Sequence, residues 1–115
     1  MHQLELDMDD VELGIDKAIP CALIVNELMT NALKYAYPEH KKGKILVCLK
    51  KLSNAKLTLV ISDKGVGLPD GFDINLVKSL GMQLIKVLSR QIDGDLTWNG
   101  KKGTEFKIEF SSEFD

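Results

Sequence analysis

Hydrophobic and polar positions alternate with period two in four stretches of the chain and recur with helical period in two others. From Lys44 to Lys50 the apolar set is Ile45, Val47 and Leu49, and from Lys56 to Asp63 it is Leu57, Leu59 and Ile61. From Thr104 to Phe110, Phe106, Ile108 and Phe110 alternate with Glu105, Lys107 and Glu109, the pattern of a strand with one buried face. Asp95 to Trp98 is a shorter fourth strand, handed back to the last one by a turn that begins at Asn99 and Gly100. Leu4 to Asp7 and Val11 to Leu13 fit edge strands. From Pro20 to about Tyr35, Cys21, Val25, Leu28, Met29, Ala32 and Ala36 fall on one side of a helix, with Pro20 in its first turn. From Leu80 to Gln91, Met82, Leu84, Ile85, Val87 and Leu88 do the same, with Ser79 as the cap.

Helix, hairpin, helix, hairpin predicts an α+β fold, a two-layer sandwich in which a mixed, mostly antiparallel sheet carries helices on one face. Residues 68–78, with Pro69 and Gly71, form an irregular stretch long enough for a lid or a binding loop. The 115 residues predict a single domain, large enough to bury roughly two-thirds of its unfolded surface without metal or disulfide staples. The longest apolar stretch, Ala18 to Val25, contains Pro20 and falls short of the roughly 20 residues of a membrane helix. No basic run precedes an apolar block at the amino terminus, so a cytoplasmic protein is expected. Cys21 and Cys48 stand outside any CxxC or Cys/His cluster and are expected as small core residues. The net charge of −2 carries none of the basic bias of nucleic-acid or membrane-surface binders. Any anionic ligand must be held locally.

Glu27, Asn31 and Lys34 are spaced by four and three residues, forming a polar stripe nearly opposite the apolar side. A solvated helix face explains such a stripe; so does a narrow polar seam, because Leu23, Ile24 and Leu33 make the rest of the helix apolar. A carboxylate, an amide oxygen and an ammonium in one seam suit Mg²⁺ with phosphates attached. Asp63 shares the parity of Leu57, Leu59 and Ile61, so its carboxylate should face inward. It is either a turn aspartate or a buried acceptor for an exocyclic amino group, with Gly65 and Gly67 letting backbone approach a flat ring. Ser79, Leu80 and Gly81 open the second helix, where free N–H groups and the dipole favour phosphate. Gly81 serves either packing or ligand room, and Gly103-Thr104 is either a turn or part of the same pocket.

In this order the pieces resemble the nucleotide-binding boxes of the histidine-kinase, gyrase, chaperone and mismatch-repair ATPase superfamily (GHKL, Bergerat fold), from about Asp16 to Phe110. The run from Asn26 to Tyr35 looks like the N-box. Asp63 to Pro69 resembles the first glycine box, Ser79 to Leu84 the second, and Gly103 to Phe106 the threonine-bearing strand. Ile19-Pro20 leading into that N-box is similar to sensor kinases with a short ATP lid, and Phe72 is the one aromatic in the lid. The resemblance implies ATP and Mg²⁺ as ligands. It implies Asn31 at the metal, Glu27 acting through the metal's waters or as a base, and Lys34 at phosphate. Tyr35 would face adenine, Asp63 would accept from its amino group, and Gly65, Gly67, Gly81 and Thr104 would line the pocket.

Sensor kinases of this kind transfer the γ-phosphoryl to a histidine on a separate helical hairpin. Here the only histidines are His2, near the terminus, and His40, in a polar loop. The resemblance therefore implies the excised catalytic domain of a longer histidine kinase. Its partners would be a dimerisation and phosphoacceptor domain and a downstream response regulator, with no nucleic acid and no membrane contact. The alternatives within reach are a free-standing anti-sigma-type serine kinase of the same fold and an interaction module without nucleotide.

Overall fold

The computed structural model describes residues 3–36, 43–53 and 55–112. In chain order the elements are β1 (Gln3–Met8), α1 (Ile15–Asn31), a π-helical turn (Ala32–Ala36), β2 (Lys44–Lys51), β3 (Lys56–Asp63), α2 (Leu80–Gln91), β4 (Asp95–Asn99) and β5 (Thr104–Ser111). The five strands form one sheet in the order β1-β2-β3-β5-β4. β1 runs parallel to β2, and the remaining neighbours are antiparallel. The parallel pair follows from its connection, because β1, α1 and β2 form a crossover unit and only the later strands are joined by tight returns.

Period-two patterning translates directly into rows across the inner face. Val47, Ile61, Phe106 and Trp98 are cross-strand partners in one row, and Leu49, Leu59, Ile108 and Leu96 in the next. Ile24 of α1 and Ile85 and Ile92 near α2 close over these rows and are fully buried with Ile108 and Phe110. The row nearest the ends of β3 and β5 is different: Ile45 pairs with Asp63 and Asp63 with Thr104. The inner face thus turns polar at one edge of the core. That edge is where the site lies.

The helices depart from the sequence pattern in instructive ways. α1 begins at Ile15, five residues ahead of Pro20, with Gly14 in extended backbone as its cap and Asp16 in the first turn. Its buried stripe is Lys17, Pro20, Cys21, Ile24 and Leu28, continued by Ala32, while Val25 and Met29 pack at the margin. Lys17 is buried because its Nζ donates to the carbonyl of Ser111 at the end of β5. Leu23 and Leu33 are exposed. With the core centred on Ile24 and Leu28, Glu27 and Asn31 lie three residues further on, beside the buried stripe rather than opposite it. Val11 and Leu13 form no strand; they cross from β1 to α1 as an irregular segment packed against the core. Cys21 is buried, whereas Cys48 is half-buried on the helix-free face.

α2 starts and stops as its residues dictate. The Ser79 hydroxyl accepts the Met82 N–H at 3.3 Å. At the other end the N–H groups of Asp93 and Gly94 bond back to the carbonyls of Arg90 and Ser89, with Asp93 at φ 53, the Schellman arrangement. Among the described residues no helix is long and apolar enough to cross a membrane.

Candidate functional site

A cleft of about 90 Å³ opens at the polar end of the core, between the carboxyl half of α1, the ends of β3 and β5, and the first turn of α2. Asn31, Asp63, Gly67 and Thr104 line it, with Leu28, Ile61, Met82 and Phe106 as apolar walls. This is small beside the roughly 300–1,000 Å³ of drug-sized pockets. It offers room for a small group rather than for a whole drug-sized ligand.

Asp63 is the fixed point. Its Oδ1 accepts the N–H of Gly65 at 2.9 Å and the N–H of Thr104 at 3.2 Å. Two backbone donors from different segments therefore converge on one carboxylate oxygen in a buried position. Gly67 and Gly103 make this convergence possible. Both have positive φ, 81° and 78°. A Cβ on Gly67 would stand 2.3 Å from the Gly100 carbonyl oxygen, and one on Gly103 would stand 2.1 Å from that of Asp63. These glycines thus let backbone approach backbone around Asp63.

The α1 side contributes Glu27 and Asn31. Asn31 lines the cleft. Glu27 reaches toward α2, where its Oε2 lies 3.0 Å from the position a Cβ on Gly81 would take. The room left by Gly81 is therefore taken by Glu27. Immediately after Asn31 the helix widens into the π-helical turn that carries Lys34, an exposed side chain. Such turns are frequent at functional sites. Tyr35 belongs to that turn, but its side chain lies outside the described residues, as do His2 and His40. The Ser79 hydroxyl is committed to capping, and the Gln83 N–H takes the Ser79 carbonyl. The first-turn donors of α2 that remain for an anion are the N–H groups of Leu80 and Gly81.

The structure therefore brings Asn31, Asp63, Gly67 and Thr104 to one cleft and bonds Gly65 to Asp63, while Glu27 of α1 meets Gly81 where the two helices touch, outside the cleft lining with Ser79. Lys34 stands on the surface next to it. Sequence patterning counted Leu28, Met82 and Phe106 only as core. The signals the sequence offers come from nearby residues such as Glu27, Gly81 and Thr104, and an apolar wall has no signature of its own.

An open sheet backed by two helices, with an apolar-walled cleft that holds one buried carboxylate at the ends of its central strands, is the architecture of a GHKL ATP-binding domain. The chain belongs to the histidine kinase-, DNA gyrase B- and HSP90-like ATPase family, whose model matches residues 16–113. It is 33% identical over 90 residues to the sensor histidine kinase PdtaS of Mycobacterium tuberculosis, covering 74% of this chain and 18% of that protein. It is 25% identical over 108 residues to blue-light-activated histidine kinase 2 of Erythrobacter litoralis, covering 93% and 31%. The chain thus spans less than a third of either relative. Among solved structures, the histidine kinase domain of the Erythrobacter litoralis EL346 blue-light activated kinase superposes with a TM-score of 0.87 at 24% identity, over 96% of this chain and 51% of that one. The mycobacterial sensor histidine kinase MprB shares the fold at a TM-score of 0.74 and 21% identity, over 96% and 82%.

Proposed function

We propose that this chain is the single catalytic domain of a longer sensor histidine kinase, binding Mg²⁺-ATP and donating the γ-phosphoryl to a histidine on a separate dimerisation domain of the same protein. The product would pass to a response regulator. The observation that carries the reading is Asp63: one carboxylate oxygen is fixed by Gly65 and Thr104 at the wall of the cleft. That leaves the other oxygen as the acceptor for an exocyclic amino group such as that of adenine.

The residues present fit Mg²⁺, a hard cation that takes few protein ligands and shares substrate phosphates. Asn31 and Glu27 supply an amide oxygen and a carboxylate one helical turn apart on α1, and Mg²⁺ when bound would neutralise phosphate charge there. Lys34 and the Leu80 and Gly81 N–H groups add positive charge from two sides. Glu27 would accept the imidazole proton as the new P–N bond forms and the bond to ADP breaks. Catalysis would be mainly positioning and electrostatics. Exposed apolar side chains recur every fourth residue on α1 at Ile15, Ile19 and Leu23, and at spacings of four and three on α2 at Leu80, Leu84 and Val87. They support docking against a helical partner.

Calorimetric titration with a non-hydrolysable ATP analogue, with and without Mg²⁺ and with GTP as control, tests the binding step. Magnesium-sensitive, adenine-selective binding is expected. Absence of binding in both conditions would leave a module acting through protein contacts alone. Transfer of label to a histidine hairpin, compared with a serine-bearing partner, tests the acceptor.

A further inference from the structure

Beyond the cleft, three aromatic rings connect its wall to the sheet edge. The Trp98 indole N–H donates to the Phe72 carbonyl at 3.2 Å. The Phe72 ring stands edge-on to Trp98 at 6.1 Å and to Phe106 at 6.4 Å. Phe106 lines the cleft, whereas Trp98, its cross-strand partner on β4, does not. The same loop is held twice more: the Leu68 N–H donates to the Gly100 carbonyl, and Ile74 is buried in the core. Beyond Ile74 the loop is largely exposed, with Leu76, and Leu80 where α2 begins, among the most exposed apolar residues. The loop after β3 is thus anchored over its first half and open over its second.

We propose that Trp98 is a positioning residue for nucleotide binding: acting through Phe72, it fixes the root of the lid so that Leu68 and Phe106 keep the cleft at its width. This rests on the nucleotide reading above. The indole supplies both the hydrogen bond and a ring face, so its parts can be removed separately. Trp98→Phe keeps a ring and deletes the N–H; Trp98→Leu deletes both.

Calorimetry should show Mg²⁺-ATP bound about two- to tenfold more weakly by Trp98→Phe, the fold-change of one neutral hydrogen bond, and more weakly again by Trp98→Leu. Amide exchange should rise in residues 68–74. Trp98 is the only tryptophan, so its emission should change on nucleotide saturation, and Phe72→Leu, which removes the ring through which Trp98 acts, should diminish that change and weaken binding as Trp98→Leu does. Variants that lose thermal stability but bind as tightly as the parent overturn the proposal, as does unchanged exchange. If Trp98→Leu does not fold, Trp98→Phe decides. A parent chain that binds no nucleotide sinks the nucleotide reading itself; a parent that binds beside equally competent variants sinks only the role of Trp98.

Discussion

Glu27 and Gly81 meet across the α1–α2 contact: the Glu27 Oε2 lies 3.0 Å from where a Cβ on Gly81 would stand. The carboxylate is thereby placed against the first turn of α2, where the helix dipole favours negative charge by about 0.3–1 kcal/mol. A glycine in a helix normally costs stability. Here it makes room for the one acidic side chain of the proposed site that belongs to the other helix.

Gly81→Ala should therefore separate folding from activity. Alanine favours the helix by about 0.5–1 kcal/mol, and the group it crowds is the movable end of a side chain. Thermal unfolding should be unchanged or shifted upward. On the proposed function, phosphotransfer measured with the histidine-bearing domain supplied should fall by about ten- to hundredfold as Glu27 is displaced. An undiminished rate would remove Glu27 from the chemistry.

Asp63→Asn tests the cleft itself. The amide oxygen can still accept the Gly65 and Thr104 N–H groups, so the fold should survive. Losing a charge-assisted bond to the ligand should cost about 1.5–3 kcal/mol, roughly ten- to hundredfold in ATP affinity. Calorimetry of the two proteins with ATP settles it, and an affinity within about twofold of the parent would mean that Asp63 holds the Gly65 and Thr104 segments and nothing more.

Most of this geometry was legible because burial writes period two into β2, β3 and β5, and Asp63 stood out as the one charged residue on the inward parity of β3. The start of α1 was not. Ile15 and Ile19 are exposed, and Pro20 reads as a first-turn residue although it lies a turn further in. The buried stripe was displaced for a related reason, since Lys17 is a core position only through its bond to Ser111 ninety-four residues away. The packing of Gly67 against Gly100 and of Gly103 against Asp63 likewise joins segments far apart in sequence, where local spacing carries no information.

The two cysteines should differ in reach. Burial pushes the Cys21 thiol up to about 11, against a smaller opposing effect of Lys17. Burial, with Asp7 adding to it, also raises Cys48. At pH 8 only about one Cys21 thiol in a thousand is ionised, so alkylation of the native chain should be slow and confined to Cys48. Cys21 should react only on unfolding. The folded chain keeps the Cys21 proton where the unfolded chain loses it, so this thiol also lowers stability as pH rises above 9.0 toward about 11. Mass spectrometry after timed alkylation reads the order, and prompt labelling of Cys21 in the native protein would show that the α1 core opens.

Strand β1 should be the pH-sensitive element. All six of its residues are exposed, and its polar side chains pair with β2: Glu5 with Lys44 at 2.7 Å and Asp7 with Lys50 at 2.6 Å. Asp9 follows, accepting the Lys51 N–H at 2.8 Å. That N–H, aided by Lys50, holds the Asp9 carboxyl below its ordinary 3.8. Hydrogen bonds that Lys44 and Lys50 donate to the Glu5 and Asp7 carboxylates hold both ammonium groups above 10.5. A lowered carboxyl stabilises above its unfolded value and is lost as pH falls through the folded one. A raised ammonium stabilises below its unfolded value and is lost as pH rises through the folded one. The attachment of β1 is therefore complete between about pH 4 and pH 10 and weakens on both sides. Exposed pairs contribute little to global stability, so the effect should appear as faster amide exchange in residues 3–8, corrected for intrinsic rates, with the unfolding midpoint little changed. Salt at about 1 M should mimic part of it by screening. If protection of these amides at pH 3 equals that at pH 7, the parallel ladder alone holds β1 and the charges are incidental.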